Sequence, residues 1–247
     1  MKRSIVFFIG VAALLCGTPA WGKQTKLLLI GDGTMANCAT ISDSEVRGWG
    51  QMLPSYLSDD VVVVNAAAEG MSAKTVMANN HLDSLLGTLS KRDILLIQFG
   101  QNDLREDRLE QYSSVDELSH TLAAIVDMAQ SKKLQVFLCT PLAQPFYRDG
   151  VLINRLGAYP EAARRVAGQK NVSLIDLEVM TRDWLTEIGE SGAYLYYVNL
   201  DTHRAPEGEY LLNEAGAMQV AQMVVSAIQA LNNKKLNKLI AAPVLSE

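Results

Sequence analysis

The chain has few of the residues that build metal centres and disulfide frameworks. Its 247 residues include only three cysteines and three histidines. No pair of cysteines has the CxxC spacing, so zinc binding is not indicated. An oxidising compartment would permit one disulfide between Cys38 and Cys139, but each residue equally fits a small buried thiol. The sequence leaves both possibilities open.

Positive charge and long apolar stretches are also scarce. The chain has 22 lysines and arginines against 27 aspartates and glutamates. Removal of residues 1–22 would take away Lys2 and Arg3 and no acidic residue, leaving a net charge of −7. Such an acidic protein is a poor candidate for binding nucleic acid or anionic membranes. No later apolar stretch is long enough to span a bilayer. We expect neither nucleic-acid binding nor a membrane span.

The first 22 residues have the pattern of a cleavable export signal. MKR supplies a positive start, SIVFFIGVAALLC an apolar core, and Ala20-Trp21-Gly22 a small-x-small cleavage site. A membrane anchor is less favoured because the apolar core is short. We expect residues 1–22 to be removed and residues 23–247 to form one periplasmic or secreted domain.

Apolar runs alternate with helical patterns through the rest of the chain. Continuous hydrophobicity is typical of strands buried on both faces. Strands interleaved with helices imply right-handed crossovers and a three-layer α/β/α sandwich, and the absence of a linker indicates one domain. The predicted strands are 27–31, 61–67, 93–100, 135–141 and 172–177. The predicted helices are 45–57, 72–90, 113–131, 158–170 and 213–231, followed by a loosely docked tail.

In such a sheet, binding and chemistry gather at the carboxyl ends of the strands. Three of these ends carry informative residues, GDGT at 31–34, the stretch 65–72, and GQND at 100–103. Gly33 lies in the turn where an α/β hydrolase exposes its nucleophile. A glycine has no side chain that could attack a substrate.

In these strand ends the chain resembles the SGNH (GDSL-type) hydrolases, in particular the branch with rhamnogalacturonan acetylesterases. The resemblance implies a five-stranded parallel sheet of flavodoxin-like order. It also implies hydrolysis of O-acetyl esters on acetylated plant polysaccharide or oligosaccharide, with no metal or cofactor. The matching blocks are GDGTMA (31–36), GWGQML (48–53), NAAAEGMS (65–72), QFGQND (98–103) and GAMQVA (216–221).

The resemblance assigns roles to the site residues. In the family a Ser attacks the acyl carbonyl, a His takes its proton, and an Asp three residues earlier orients the His. The oxyanion donors carry over to the Gly33 N–H, the Gly70 N–H and the Asn102 side chain. Taken alone, Gly70 also fits a turn glycine with positive φ, and Asn102 a turn-stabilising residue. Asp32 is expected to accept backbone N–H groups rather than to act as a base.

The chain departs from the family at the nucleophile, because Gly33 stands where the family has Ser. Thr34 is expected to point elsewhere, and Ser72 to hydrogen-bond to backbone. Losing the Ser of a serine protease triad lowers turnover by about 10⁶-fold. We therefore predict an impaired or inactive acetylesterase, unless another nucleophile such as a positioned water takes over.

The terminal His motif can be aligned in two registers. In the first, Asp201 and His203 are the remnant of the motif, and Leu200 occupies the position of the family Asp. In the second, anchored on the block GAMQVA, Leu211 occupies the position of the His and Gly208 that of the Asp. The sequence leaves both open. Neither register has an Asp at the required spacing.

Two functions remain in view. The first is an exported carbohydrate esterase homologue with a degenerate triad. The alternative is a pseudo-esterase that binds acetylated polysaccharide or a protein partner without turnover, with Trp49, Phe146 and Tyr147 either facing the sugar or packing in the core and rim. A phosphate-binding turn at GDGT is disfavoured, because GxGxxG and a P-loop lysine are missing.

Overall fold

The computed structural model describes residues 24–38, 45–198, 210–232 and 234–241. Within these ranges the strands are β1 (Thr25–Gly31), β2 (Val61–Asn65), β3 (Ile94–Gln98), β4 (Gln135–Cys139), β5 (Tyr147–Arg148), β6 (Val151–Leu152), β7 (Ser173–Ile175), β8 (Tyr197–Val198) and β9 (Leu211–Leu212). The α-helices are α1 (Trp49–Met52), α2 (Ala73–Met77), α3 (His81–Gly87), α4 (Val115–Ser131), α5 (Tyr159–Lys170), α6 (Leu177–Ala193), α7 (Glu214–Ala230) and α8 (Lys234–Asn237).

Five strands form one parallel sheet in the order β2-β1-β3-β4-β7. This confirms the predicted five-stranded sheet of flavodoxin-like order. Alternate residues of β1 serve opposite faces: Leu29 joins a core cluster with α1, α6 and α7, and Leu28 joins one with α2 to α5. Helices therefore cover both faces, which explains the continuous apolar sequence of the central strands and confirms the three-layer sandwich.

Side-chain caps fix where several helices begin. Ser72 caps α2 in a reciprocal capping box with Thr75, and Ser114 does the same for α4 with Glu117. Asn213 caps α7 by accepting the Gly216 N–H at 3.0 Å. Each cap fixes the residue at which the preceding loop ends and the helix begins.

Two predicted helices are broken in the structure. The predicted helix 45–57 consists of the short α1 and a 3₁₀ turn, Leu53–Tyr56, which contains Pro54. The predicted helix 72–90 is divided into α2 and α3 by a 3₁₀ turn that ends at Asn80, whose φ of 56° is left-handed. Asparagine tolerates that conformation and interrupts the helical path.

Residues 234–241 dock more firmly than predicted. Leu236 of α8 is buried in the core. The Ser58 N–H donates to the Leu239 carbonyl at 2.8 Å, and the Ala241 N–H to the Tyr56 carbonyl at 2.9 Å. For residues 234–241 the prediction of a loosely docked tail is wrong. Among the helices described, none combines the length and apolarity needed to cross a bilayer.

Candidate functional site

A pocket opens at the carboxyl edge of the sheet. It is lined by the loops that follow β1, β2, β3 and β4 and by the β8–β9 hairpin. Gly33, Gly70 and Asn102 all lie in this lining. The structure thus brings together three of the five residues predicted from the sequence.

The turn that contains Gly33 is organised by a buried carboxylate. Asp32 accepts the Thr34 N–H at 2.9 Å and the Thr34 hydroxyl at 2.6 Å. Gln98 Nε2 donates to the same hydroxyl oxygen at 2.7 Å. Burial raises the pKa of Asp32. The Thr34 hydroxyl is therefore engaged in the turn, and Asp32 accepts a backbone N–H as expected.

The three aromatics considered as possible sugar contacts, Trp49, Phe146 and Tyr147, lie outside the pocket lining. Trp49 is fully buried, and its indole N–H donates to Gln98 Oε1 at 2.9 Å. Phe146 lies beneath the Arg155 guanidinium, 4.7 Å from its ring centroid. The Tyr147 hydroxyl donates to the Leu185 carbonyl at 2.7 Å. All three make contacts within the protein, as expected if they pack in the core and rim rather than face the sugar.

Two backbone N–H groups at the pocket are available to a ligand. Gly70 adopts a left-handed φ of 72°, which glycine reaches without a steric penalty. Within the described part of the chain, neither the Gly33 N–H nor the Gly70 N–H donates a hydrogen bond to a protein acceptor. Both lie in the pocket lining, where they can stabilise a developing negative charge.

The Asn102 side chain bridges two loops. Its Nδ2 donates to the Met71 carbonyl at 2.9 Å. The side chain therefore bonds across to the loop after β2 rather than within its own turn. An amide nitrogen carries two hydrogens, so one donor remains for a ligand beside Gly70.

Asp103 reinforces the same junction. Its carboxylate accepts the Ala73 N–H at 3.0 Å and the Gly100 N–H at 2.9 Å. The side chain is fully buried, and burial raises the pKa of Asp103 to about 7 despite the lowering effect of the two N–H groups. The loops after β2 and β3 are thus held in register around Asn102.

Gly33 leaves room for a side chain. A Cβ built there would lie 3.4 Å from the Cα, 3.6 Å from the Cγ and 3.7 Å from the Cβ of Glu69. These are ordinary van der Waals distances, and Gly33 does not have a positive φ. A serine would fit at this position without displacing backbone.

Asp201 and His203 lie outside the described residues, as do Leu200 and Gly208. Leu211, which takes the His position in the second register, is the first residue of β9 and lines the pocket together with Gly33. The assignment of the terminal motif stays a prediction.

Several residues outside the predicted set also line the pocket. Glu69 and Arg105 come from the loops after β2 and β3, and Tyr197 from β8. Arg105 pairs with Asp107 at 2.9 Å. The loop positions of Glu69 and Arg105, inside or just after the matched blocks, were the signal available in the sequence. Nothing in the local pattern marks Tyr197.

The other nucleophile candidates are held away from this chemistry. The Ser72 hydroxyl accepts the Thr75 N–H at 3.2 Å, as expected for a backbone-bonded residue. Cys38 and Cys139 are both free thiols, and burial is the main cause that raises the pKa of each. The described residues contain no group of acidic, His or Cys side chains that could hold a metal ion.

A five-stranded parallel sheet with Gly33, Gly70 and Asn102 together at its carboxyl edge is the framework on which acyl hydrolases are built. Residues 29–209 match the GDSL-like Lipase/Acylhydrolase family, and the chain belongs to that family.

Relatives in Bacillus subtilis (strain 168) extend the comparison. The chain is 31% identical to "Probable rhamnogalacturonan acetylesterase YesY" over 212 residues, covering 83% of this chain and 93% of that protein. It is 28% identical to "Rhamnogalacturonan acetylesterase RhgT" over 216 residues, covering 85% and 91%.

Solved structures support the same fold. The crystal structure of the B. subtilis protein YxiM superimposes with a TM-score of 0.73 at 25% identity, covering 85% of this chain. This chain spans only 58% of that protein. The acetylxylan esterase Axe2 of Geobacillus stearothermophilus has a TM-score of 0.62 at 17% identity, covering 84% and 95%, and shares the fold.

Proposed function

We propose that the chain is an exported carbohydrate esterase homologue that receives O-acetyl esters of pectic polysaccharide in the pocket around Gly33. Its serine-type hydrolysis is impaired or absent. The names of the two rhamnogalacturonan acetylesterases support the substrate class. The export pattern of residues 1–22 supports a location where such polysaccharide is met.

One observation carries the proposal. Gly33, Gly70 and Asn102 all line one pocket, while Gly33, which stands at the nucleophile position, has no side chain. Family members bind and hydrolyse esters with both parts. A pocket with donors alone can bind the acyl group and polarise its carbonyl. It cannot carry out serine-type hydrolysis, because Gly33 provides no hydroxyl to attack the acyl carbon. Oxyanion donors and binding groups alone give roughly 10³–10⁴-fold acceleration over water.

The first experiment compares residues 23–247 with RhgT on acetylated pectin and on an activated acetate ester. We expect turnover at least about 10⁴-fold below that of RhgT, because the loss of a Ser nucleophile costs about 10⁶-fold. Turnover equal to that of RhgT, unchanged when Gly33 or His203 is substituted, would contradict the proposal.

A second experiment separates the two registers of the terminal motif. If the base survives at His203, Gly33→Ser alone restores part of the activity. If the base position is Leu211, Gly33→Ser stays silent until Leu211→His and Gly208→Asp are added. A Ser fits at Gly33, and Leu211 lies in the pocket lining, so the substitutions at these two positions are sterically reasonable.

The non-catalytic alternative is favoured by the same free donors. A pseudo-esterase would bind acetylated oligosaccharide at the Gly33 and Gly70 N–H groups without turnover. Calorimetry with acetylated and deacetylated pectic oligosaccharides tests this, and binding that requires the acetyl group is the expected result. No heat at millimolar oligosaccharide would leave this alternative without support.

A further inference from the structure

We propose that Glu69 acts as a general base that activates a water molecule in the space left by the missing side chain at Gly33. This inference rests on the proposed function, since it needs an acyl ester held in the same pocket. It adds a catalytic residue and a route of hydrolysis that uses no covalent intermediate.

Glu69 is the close neighbour of Gly33 across the pocket. Apart from Gly33 itself and its chain neighbours Asp32 and Thr34, the three nearest atoms to a Cβ built there all belong to Glu69, with its Cγ at 3.6 Å. A serine hydroxyl would lie one bond beyond that Cβ, and the Glu69 carboxyl carbon lies one bond beyond the Cγ. Because the Glu69 side chain is exposed, rotation about its side-chain bonds can bring the carboxylate to a water at the position of the absent hydroxyl, as a general base requires.

The Glu69 carboxylate is available for this work. Its side chain is exposed at the pocket. Among the described residues, no hydrogen bond or ion pair engages it. The Glu69 charge also contributes, after burial, to the raised pKa of Cys38. The carboxylate therefore acts on the same edge of the sheet as Gly33.

Two buried acids near Gly33 are engaged by other groups, and the two described histidines lie away from the pocket. Asp32 holds the Thr34 N–H and hydroxyl, and Asp103 holds two backbone N–H groups. His81 and His120 are exposed on α3 and α4, outside the pocket lining. Besides Asp32, whose carboxylate is engaged by Thr34, Glu69 is the acidic residue among the described pocket-lining residues.

The reaction balances without another reactant. Glu69 takes a proton from water as the water oxygen bonds to the acyl carbon. The carbonyl electrons move to its oxygen, and the Gly33 N–H, the Gly70 N–H and Asn102 hold the resulting oxyanion. Collapse breaks the bond between the acyl carbon and the sugar oxygen. That oxygen takes the proton from Glu69, and acetic acid and the free sugar hydroxyl leave.

Two substitutions test the route in residues 23–247 with an activated acetate ester. Glu69→Gln keeps the size of the side chain and removes the base, so kcat should fall about 10²-fold or more with little change in KM. Gly33→Ala removes no functional group and fills only the space for water, at ordinary contact distance from Glu69. It should lower the rate similarly. Glu187→Gln, at an exposed position on α6, is the matched control.

The pH profile separates a base from a structural role. A general base predicts a limb of the wild-type pH–rate profile that is absent from Glu69→Gln, whereas a packing role predicts profiles of the same shape. Glu69→Asp should recover part of the rate. Unchanged rates in Glu69→Gln or in Gly33→Ala would overturn the inference.

Calorimetry with acetylated pectic oligosaccharide separates failure of the Glu69 role from failure of the proposed function. Wild-type protein that binds the oligosaccharide but hydrolyses the ester no faster than buffer would overturn the role of Glu69 and leave the proposed function standing. Failure to bind would remove the proposed function itself.

Discussion

At the scale of single residues, Asp103 combines two properties that conflict. Its carboxylate accepts two backbone N–H groups, which favours the ionised form, yet the side chain is fully buried. Burial has the larger effect and raises the pKa of Asp103 to about 7. Asp103, which joins the loops around Asn102, therefore also makes the free energy of unfolding depend on pH.

We expect the free energy of unfolding to fall as pH rises from about 4 to about 7. An unfolded Asp releases its proton near pH 3.9, whereas folded Asp103 keeps it to about 7. The folded state thus binds more protons over this window, and stability is lost as pH rises, by roughly 1 kcal/mol per pH unit. The raised pKa of Asp32 acts in the same direction. Urea unfolding at each pH measures the slope.

Asp103→Asn is the control. It cannot titrate, so the slope should become shallower. An amide nitrogen would face one of the two N–H groups, which lowers stability by about 1–3 kcal/mol at low pH. A slope as steep in the variant as in the wild type would show that Asp103 does not titrate as described.

At the scale of secondary-structure elements, α7 begins in close contact with the chain before it. A Cβ on Gly216, in the first turn of α7, would lie only 2.2 Å from the Tyr196 carbonyl oxygen. The nearest neighbour is backbone, which cannot move aside as the end of a flexible side chain would. The glycine allows α7 to pack directly on the segment that precedes β8.

Gly216→Ala should destabilise the protein by about 1–3 kcal/mol, the usual range for overpacking. Gly168→Ala, on α5, is the matched control, because a Cβ there meets nothing within 4 Å. That change should stabilise by about 0.5–1 kcal/mol, since it only removes backbone freedom from a helix. Thermal unfolding of both variants gives the comparison. Equal effects of the two substitutions would contradict the close approach of α7.

The sequence predicted those elements whose signal is local. The run ILLIQ of β3 is buried at every residue, and its continuous hydrophobicity identified it. Helix α6 was missed, although Leu177, Trp184 and Leu185 share its buried side. Their helical spacing and the Asp176 cap were visible in the sequence.

The geometry of the site depends on contacts that local patterns do not encode. Asn102 reaches Met71 and Asp103 reaches Ala73 across about 30 residues of chain. Both contacts require the strand order, which the alternating pattern does not fix. The β8–β9 pairing, with Tyr197 opposite Leu212, joins two strands of two residues each. Strands that short carry no periodic signal.

At the scale of the whole molecule, export remains the first prediction to test. Cells that express the full chain should release a form that begins at Lys23, because Ala20 and Gly22 present a small-x-small cleavage site. Intact-mass measurement of the extracytoplasmic fraction checks this. Gly22→Tyr should slow cleavage. A mature protein that retains residues 1–22 would contradict the prediction.

The burial of Trp49 has an optical consequence. Its indole N–H is bonded to Gln98, and the same Gln98 amide holds the Thr34 hydroxyl in the turn that contains Gly33. A ligand that shifts this turn therefore changes the surroundings of a chromophore that is otherwise shielded from solvent. In residues 23–247, which lack Trp21, the emission of Trp49 read against a Trp184→Phe background would report occupancy of the pocket without a label and without turnover.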